Sequence, residues 1–336
     1  MNRGALPMPK ATVVVPAYNV AGTIAETLRS LLRQTLRDSE IIVVDDGSKD
    51  NTLEIVASFD DPRLRVVRQA NRGLAGAHNT GIAHAASAII GFCDADDLWE
   101  PQKLERHVEH LEANPDVGIS FSGSRLIDAK GRPTGLVQRP RLKGITAAHI
   151  LKRNPIGNGS AAVMRKVALD AMAWRPLHEH ERDWWFDETF RQTDDVEGWL
   201  RFALTTDWRI EGIPGLLTLY RINPGGLSAN VERQYQTWER MVTKLSAIAP
   251  DFMERHLPAA RAYQLRYLCR RAIAARDASL SLALSRRWLS SSWRPLLEEP
   301  VKSLSTLGAA ALLSALGDAS YRRSEDLLLS ARRRFL

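Results

Sequence analysis

The sequence has few cysteines and no signal-peptide-like apolar stretch, and these two shortages exclude several classes of protein. Two cysteines, Cys93 and Cys269, occur among 336 residues, far apart and in apolar surroundings. A disulfide framework or a zinc site needs more cysteines at closer spacing. Residues 1–10 lack the apolar core of a signal peptide. A reduced, cytoplasmic location is therefore the expectation.

Acidic residues are scarce relative to basic ones, but only in part of the chain. The sequence has 46 Lys and Arg against 39 Asp and Glu, a net charge of +7. From Val231 onward there are 18 basic and 10 acidic residues, so the excess belongs to this tail. Its aromatic residues follow helical spacing without any nucleic-acid-binding signature, so no nucleic acid partner is expected. An acidic membrane surface suits the charge at least as well.

Short apolar runs alternate with helical patterns through the first part of the chain. Residues Ala11–Pro16, Ile41–Val44, Leu64–Val67 and Ile89–Cys93 have the composition of buried parallel strands. This alternation predicts an α/β fold, a Rossmann-like, mostly parallel sheet flanked by helices. In such sheets, ligands bind beyond the carboxyl ends of the strands.

Polar residues follow three of these strands at the point where each one ends. Tyr18 and Asn19 follow the first strand, Asp45 and Asp46 the second, and the D-A-D-D of residues 94–97 the fourth. Each cluster has an ordinary structural alternative, such as a packed aromatic, a turn or a helix cap. Because all three fall at the same edge of the predicted sheet, they indicate one ligand site.

The D-A-D-D stretch places three carboxylates directly after an apolar strand. Their mutual repulsion and desolvation need to be offset. A divalent cation, Mg²⁺ or Mn²⁺, would do so, because hard cations prefer carboxylate oxygens and keep positions free for substrate phosphates. An acidic loop that caps the helix beginning near Pro101 is the alternative, and it would be preferred for an isolated motif.

Four motifs, VVVPAYN, VVDDGSKDNT, NRGLAGAHN and DADD, occur in an order and spacing that resemble the family 2 nucleotide-sugar glycosyltransferases of the GT-A fold. The resemblance covers about residues 11–230. It implies a metal-dependent, inverting transfer of a sugar from a nucleoside diphosphate-sugar, of the UDP type, to a hydroxyl acceptor. The implied acceptor is a glycan or a lipid-linked glycan in polysaccharide or glycoconjugate biosynthesis.

The resemblance also implies a set of donor contacts. Pro16, Tyr18 and Asp46 would surround a uracil, with Asp46 accepting a hydrogen bond from the base N3–H. The polar loop at residues 154–164 would border the donor sugar, although an ordinary Gly/Ser turn explains it equally well. The further implied donor contacts are Asn19, Gly73, His78, Asp94, Asn158, Gly159 and Ser160.

Separate roles are implied for the carboxylates. Asp94 would lie at the ribose, and Asp96, together with Asp97, would hold the cation. The stretch TDDVEGWLR is similar to the family's E-D-x-D-hydrophobic-W motif, with Asp194 in place of the usual Glu. This similarity makes Asp195 the expected catalytic base. The alternative is that Asp194 or Asp195 only caps the helix that follows.

Two positions depart from the family pattern. His78 stands where members commonly carry Arg, and Asn223 stands where the closing Y-R-x-H loop has His. These changes keep open a second interpretation of the chain. It would be a scaffold in a polysaccharide-assembly complex that binds the nucleotide without catalysing a transfer. A sugar nucleotidyltransferase is a further alternative, but the Gly-rich, Arg-containing phosphate loop expected after its first strand is missing.

Residues 173–199 combine tryptophans with carboxylates, a composition that suits sugars because their C–H faces stack on aromatic rings. The tryptophans concerned are Trp174, Trp184, Trp185 and Trp199.

The patterns divide the chain into a GT-A catalytic domain at residues 1–230 and a basic α-helical extension at residues 231–336. Within the extension, Arg261–Arg276 and Ala278–Leu289 predict paired helices. Ser303–Gly317 is uncharged but has 15 residues, short of the ~20 that span a bilayer. It predicts a packed helix, with an interfacial helix as the alternative. A peripheral position at the inner face of the cell membrane would fit the basic charge.

Overall fold

The computed structural model describes residues 8–222 and 231–334, with side chains as far as Gly317. The chain divides into two compact units. The first contains the described residues up to Ile150 and from Asn154 to Ile222. The second contains Leu151–Arg153 and the described residues from Val231 onward.

The first unit is built on a mixed β-sheet. Its strands are β1 (Ala11–Ala17), β2 (Ser39–Asp45), β3 (Leu64–Arg68), β4 (Ile89–Phe92), β5 (Leu98–Trp99), β6 (Val117–Ile127), β7 (Pro133–Gln138), β8 (Ala162–Arg165) and β9 (Arg209–Arg221). Across the described part of the sheet the order is β3-β2-β1-β4-β8-β6-β9-β5, with β7 beside β6. The four strands from β3 to β4 are parallel, as the sequence predicts. Beyond them β8 runs antiparallel to both β4 and β6, so the full sheet mixes strand directions.

Helices connect the four parallel strands, and further helices follow β5, β7 and β8. Those that begin in the first unit are α1 (Ile24–Leu32), α2 (Thr52–Ala57), α3 (Gly73–His84), α4 (Lys103–Ala113), α5 (Ala147–Lys152), α6 (Lys166–Asp170) and α7 (Asp194–Thr205). The second unit contains α8 (Val231–Ile248), α9 (Pro250–Ala274), α10 (Ala278–Ser291), α11 (Arg294–Glu298) and α12 (Pro300–Arg334).

The two faces of β1 pack differently because its side chains alternate. Val13 and Val15 belong to a buried core that also holds Leu28 and Leu31 of α1. Val14 points the other way, toward α3, where a Cβ added at Gly81 would lie 2.2 Å from Val14 Cγ1. The small residues of α3 therefore let this helix lie directly on the sheet, which brings its amino terminus to the strand ends.

The second unit has its own helical core. Leu265, Leu268 and Cys269 of α9 pack with Leu284 and Trp288 of α10, which confirms the predicted helix pair. Burying such side chains is the main favourable contribution to a helical pairing.

The uncharged segment Ser303–Gly317 lies within α12, and its side chains divide between two environments. Ala310 and Leu313 are buried, whereas Leu304 and Leu316 are exposed. The burial of Ala310 and Leu313 confirms the prediction that this segment is a packed helix. A search of the described residues finds no helix with both the length and the apolar content needed to cross a membrane.

Candidate functional site

The polar clusters that follow β1, β2 and β4 lie at one edge of the sheet, as predicted. The Asp46 N–H donates to the Ala17 carbonyl at 2.8 Å, and the Cys93 N–H donates to the Val14 carbonyl at 3.0 Å. The Asn19 side chain accepts from the Lys49 N–H at 2.7 Å. These bonds fix the three strand ends side by side.

Tyr18 and its neighbours differ in their accessibility. Pro16 is buried within β1 beside Val44, whereas the Tyr18 side chain is 48% exposed. Asn19 has a φ of 53°, in the left-handed region that non-glycine residues seldom adopt. The turn at Asn19 thus leaves an aromatic ring accessible at the strand edge.

The Asp46 carboxylate holds the loop that leads into α3. Its Oδ1 accepts from Gln69 Nε2 and from the Arg72 N–H, both at 2.7 Å. Its Oδ2 accepts from the Gly73 N–H at 2.8 Å. Since a carboxylate oxygen can accept two hydrogen bonds, Oδ2 retains capacity for a ligand N–H.

The carboxylates after β4 lie at different depths. Asp94 and Asp96 are half-buried, whereas Asp97 is fully buried. Asp97 Oδ1 accepts from the Arg221 N–H at 2.8 Å, and its Oδ2 has no hydrogen-bond partner among the described residues. Burial raises the pKa of Asp97 well above its ordinary value. Burial, with the charges of Asp96 and Asp195, raises the pKa of Asp94 to about 7.

The buried side chain of Arg221, which sequence reasoning did not single out, anchors this carboxylate loop. Its Nε donates to the Asp96 carbonyl at 2.6 Å, and its Nη2 pairs with Glu26 at 2.7 Å. Its Nη1 donates to the carbonyls of Asp128 and Ala129 at 3.2 and 3.3 Å. Arg221 therefore ties the loop to α1 and to the turn after β6. The available signal was its place in the T-L-Y-R stretch that opens the closing motif.

The carboxylate cluster fits a hard cation by its donor chemistry. Within the described ranges, no group of three or more His, Cys, Asp or Glu side chains is arranged to hold a metal ion. The donors present are carboxylate oxygens, which Mg²⁺ and Mn²⁺ prefer. Burial and mutual repulsion disfavour the ionised form of these carboxyls, as the raised pKa of Asp94 shows, and Asp97 Oδ2 accepts no hydrogen bond from the described residues. A cation held by Asp96 would offset it.

The loop before β8 lies beside Asp94. The Ser160 hydroxyl accepts from the Asp94 N–H at 2.9 Å, and a Cβ added at Gly159 would lie 3.9 Å from Asp94 Oδ2. Asn158 is buried and donates to Ser124 Oγ at 3.0 Å, while its own Oδ1 has no hydrogen-bond partner within the described ranges. The structure thus brings Gly159 and Ser160 to the carboxylate loop, whereas the Asn158 amide donates to side chains of β6 and β7.

Asp195 reaches the same site from α7. Its charge contributes to the raised pKa of Asp94, so the two carboxylates are neighbours. Burial raises the pKa of Asp195 itself, and its Oδ1 accepts from the Val196 N–H at 2.8 Å. The N-cap position is occupied by Thr193, whose φ of 66° lies in the left-handed region. Neither Asp194 nor Asp195 occupies the position of the cap.

His78 lies in an aromatic environment on α3. Its ring is buried 5.2 Å from the Phe92 ring and 5.4 Å from the Phe186 ring, measured between centroids. In the part of the chain that the structure describes, neither ring nitrogen has a hydrogen-bond partner, and burial lowers the pKa of His78 to about 4. His78 is therefore neutral at physiological pH, and its role as a donor contact stays a prediction. Asn223, the other departure, lies outside the described residues.

The prediction that the tryptophans of residues 173–199 stack on a sugar is wrong for three of them. Trp184, Trp185 and Trp199 are buried. Trp174 is half-buried, and the Arg201 guanidinium lies 4.1 Å from its ring centroid. Their apolar surface stabilises the packing around α7, because it is removed from water there.

Two carboxylates of the same segment form ion pairs with arginines. Glu188 pairs with Arg72 at 2.7 Å and with Arg182 at 2.6 Å. Glu179 also pairs with Arg72. Arg72 directly precedes α3, and Arg182 also donates to the Gly76 carbonyl within α3, so the two arginines fasten the segment to this helix.

The chain is similar to known glycosyltransferases. The model of the family described as Glycosyl transferase family 2 matches residues 12–172. One relative, 28% identical over 257 residues, is the UDP-Glc:alpha-D-GlcNAc-diphosphoundecaprenol beta-1,3-glucosyltransferase WfgD of Escherichia coli. That alignment covers 76% of this chain and 90% of the relative. The chain spans only 56% and 32% of the lengths of two other curated relatives, at 33% and 46% identity.

Two solved structures share the fold. S. aureus TarS 1-349 in complex with UDP-GlcNAc has 18% identity and a TM-score of 0.57, and the match covers 94% of this chain and 92% of the TarS 1-349 chain. The mannosyltransferase PcManGT from Pyrobaculum calidifontis, in complex with GDP-Man and Mn²⁺, has 24% identity and a TM-score of 0.55. That match covers 92% of this chain and 87% of PcManGT. The predicted α/β fold of the GT-A type is thereby confirmed.

Proposed function

We propose that this chain, a member of glycosyl transferase family 2, transfers a sugar from a nucleoside diphosphate-sugar to a hydroxyl acceptor. The observation that carries the proposal is the meeting, at one sheet edge, of Asp46, the Asp94–Asp97 carboxylates and Asp195. Residues 1–230 would form the catalytic domain and residues 231–336 a helical extension. The acceptor would be a glycan or a lipid-linked glycan, the class named for the E. coli relative.

The donor base in this proposal is uracil. Asp46 is fixed by three hydrogen bonds, and its Oδ2 retains capacity for one more, which suits an N3–H donor. Tyr18 is exposed at the end of the neighbouring strand, where its ring can border the base. The relative WfgD is named as using UDP-glucose, which supports the same choice.

A displacement assay tests which nucleobase the donor site prefers. We expect UDP to compete better than ADP or GDP by about 1–3 kcal/mol. Adenine offers no ring N–H to the remaining acceptor site of Asp46, and guanine, which has an N1–H, presents it on a larger purine. Thymidine diphosphate is the matched control, because its base offers the same N3–H edge, and it should compete nearly as well as UDP. Equal competition by GDP and UDP would refute the base assignment.

The carboxylates after β4 would have separate roles. Asp94 would contact the ribose, and Asp96, together with Asp97, would hold Mg²⁺ or Mn²⁺. Bound there, the cation would offset the negative charge that the leaving diphosphate gathers. Arg221 would keep the loop in place, because it holds the Asp96 carbonyl and the Asp97 carboxylate.

Asp195 would act as the general base. It comes from a different segment than the proposed metal ligands, so its lone pairs are free to take a proton. As the acceptor oxygen attacks the anomeric carbon in line, its proton would pass to Asp195 and the bond to the diphosphate would break. This displacement inverts the anomeric centre. The test is whether the protein releases UDP from a UDP-sugar in a reaction that needs a divalent cation and Asp96.

A second candidate, a nucleotide-binding scaffold without turnover, is favoured by His78. The structure buries its ring between phenylalanines with neither nitrogen partnered, so His78 supplies no charge to the site. A scaffold would bind UDP but release none from a UDP-sugar, with or without acceptor extract. The same UDP-release assay therefore separates the two candidates.

The second unit would bind an anionic membrane surface peripherally, at the cytoplasmic face. Trp293, Leu297 and Val301 are 67%, 78% and 79% exposed. Arg294 and Lys302 lie among them in the chain, and the tail from Val231 carries the excess of basic residues. Exposed apolar side chains with basic neighbours are the composition of interfacial segments.

Vesicle sedimentation tests this surface. We expect the full chain to sediment with anionic liposomes at low salt and less at high salt, because the attraction is partly electrostatic. Substituting serine for Trp293, Leu297 and Val301 together should abolish sedimentation without unfolding, since all three are exposed. Leu177→Ser, at a fully exposed leucine of the first unit, is the matched control. Equal sedimentation of the triple variant and the wild type would remove the membrane proposal.

A further inference from the structure

One arginine, Arg191, lies against the first residue of α3. Arg191 is exposed in the segment that leads into α7. Gly73 has a φ of 80°, and a Cβ added there would lie 2.2 Å from Arg191 Nη1 and 3.2 Å from Arg191 Cζ. The guanidinium therefore occupies the space that any other residue at position 73 would fill with its side chain.

Gly73 is also the residue that Asp46 holds. Its N–H donates to Asp46 Oδ2 at 2.8 Å, so Asp46 and Arg191 contact the same glycine. The two side chains nevertheless form no ion pair with each other. No hydrogen bond or ion pair joins the Arg191 side chain to any residue in the described part of the chain. Asp46 Oδ2, which can accept one more hydrogen bond, and the guanidinium N–H groups of Arg191 therefore lie beside the same glycine. Among the described residues, neither this acceptor site nor these donors has a partner.

The neighbouring arginines cannot serve in the same way. Arg72 pairs with Glu179 and Glu188, and Arg182 pairs with Glu188 and donates to the Gly76 carbonyl at 3.0 Å. Recruiting either one to a ligand would break contacts that fasten residues 179–188 to α3. Arg191 can bind a ligand without such a loss.

Resting on the proposed UDP-sugar function, we propose that Arg191 is a specificity-determining residue that donates a hydrogen bond to a carbonyl oxygen of uracil. The edge of uracil presents a carbonyl, the N3–H and a second carbonyl. Asp46 would accept from N3–H, and the planar guanidinium would donate to the adjoining O4, which cytosine replaces with an amino group. Cytosine has the same size but an unprotonated N3, so the same pair of side chains rejects it.

Binding of uridine, UMP, UDP and CDP to Arg191 variants tests this role by calorimetry or displacement. Arg191→Ala should lower the affinities for uridine, UMP and UDP by a similar factor, about 10- to 100-fold. It should change CDP binding little, so the preference for UDP over CDP narrows. Arg191→Gln keeps a donor amide and should restore part of the UDP affinity. Arg33→Ala, at the exposed arginine that directly follows α1, is the control and should leave all four affinities unchanged.

Other outcomes would overturn the proposal in distinguishable ways. A loss that grows from uridine to UDP, rescued by Arg191→Lys and not by Arg191→Gln, would mean that the guanidinium contacts phosphate. Unchanged UDP affinity in Arg191→Ala, with tight binding by the wild type, would refute this inference alone. Absence of UDP binding by the wild type would refute the proposed function as well.

Discussion

Replacing Asp195 with asparagine is expected to lower turnover by about 10²- to 10⁴-fold while donor affinity stays nearly unchanged. Asparagine keeps the shape of the side chain and can still accept from the Val196 N–H, but it cannot take a proton. The N-cap of α7 is Thr193, so the substitution should shift the melting temperature only slightly. Steady-state kinetics with calorimetric donor binding on the same preparations measures both effects.

The matched control for this variant is Asp251→Asn. Asp251 is an exposed aspartate in the first turn of α9 and so has a comparable position relative to its helix. Its substitution should leave turnover within a few-fold of the wild type. If Asp195→Asn also retains turnover, the base is Asp194, Glu197 or a group of the substrate itself.

Replacing Asp96 with alanine should abolish transfer, a loss of about 10³-fold or more if the carboxylate holds the cation that stabilises the leaving diphosphate. The fold should survive, because Arg221 holds the Asp96 backbone carbonyl and not its side chain. Removing a charge beside Asp94 also relieves repulsion in the cluster. Turnover and the melting temperature of the two proteins, each with Mg²⁺ or Mn²⁺, test this expectation.

Two controls isolate the metal. Asp60→Ala removes an exposed aspartate from the turn before β3 and should change neither turnover nor its cation dependence. An excess of chelator should reduce the wild type to the level of Asp96→Ala, and adding back Mg²⁺ or Mn²⁺ should restore it. Undiminished wild-type turnover in excess chelator would refute the metal assignment.

The parallel part of the fold could be predicted because its physical causes are local. Buried parallel strands need continuous apolar, β-branched runs, and Val13–Val15 and Ile41–Val44 supply them. Given those strands, the clusters after β1, β2 and β4 must share an edge. The antiparallel partners β5 and β7 were not predicted, because a two-residue strand and a largely exposed one carry little apolar pattern.

Parts of the site depended on contacts that no spacing encodes. Arg221 makes its hydrogen bonds to backbone carbonyls and to Glu26, far away in sequence. Composition suggested that the tryptophans of residues 173–199 could bind a sugar, but it cannot separate an exposed ring from a core ring. The approach of Arg191 to Gly73 is a tertiary contact across more than a hundred residues.

The most direct test of the transferase proposal is UDP release from a panel of UDP-sugars by the full chain, with Mg²⁺ or Mn²⁺, with and without acceptor extract. A transferase should release UDP from at least one donor, faster when acceptor is present, and Asp195→Asn should suppress that release. Tight UDP binding with no release above the enzyme-free rate, in every combination of donor and extract, would contradict the transferase and leave the scaffold.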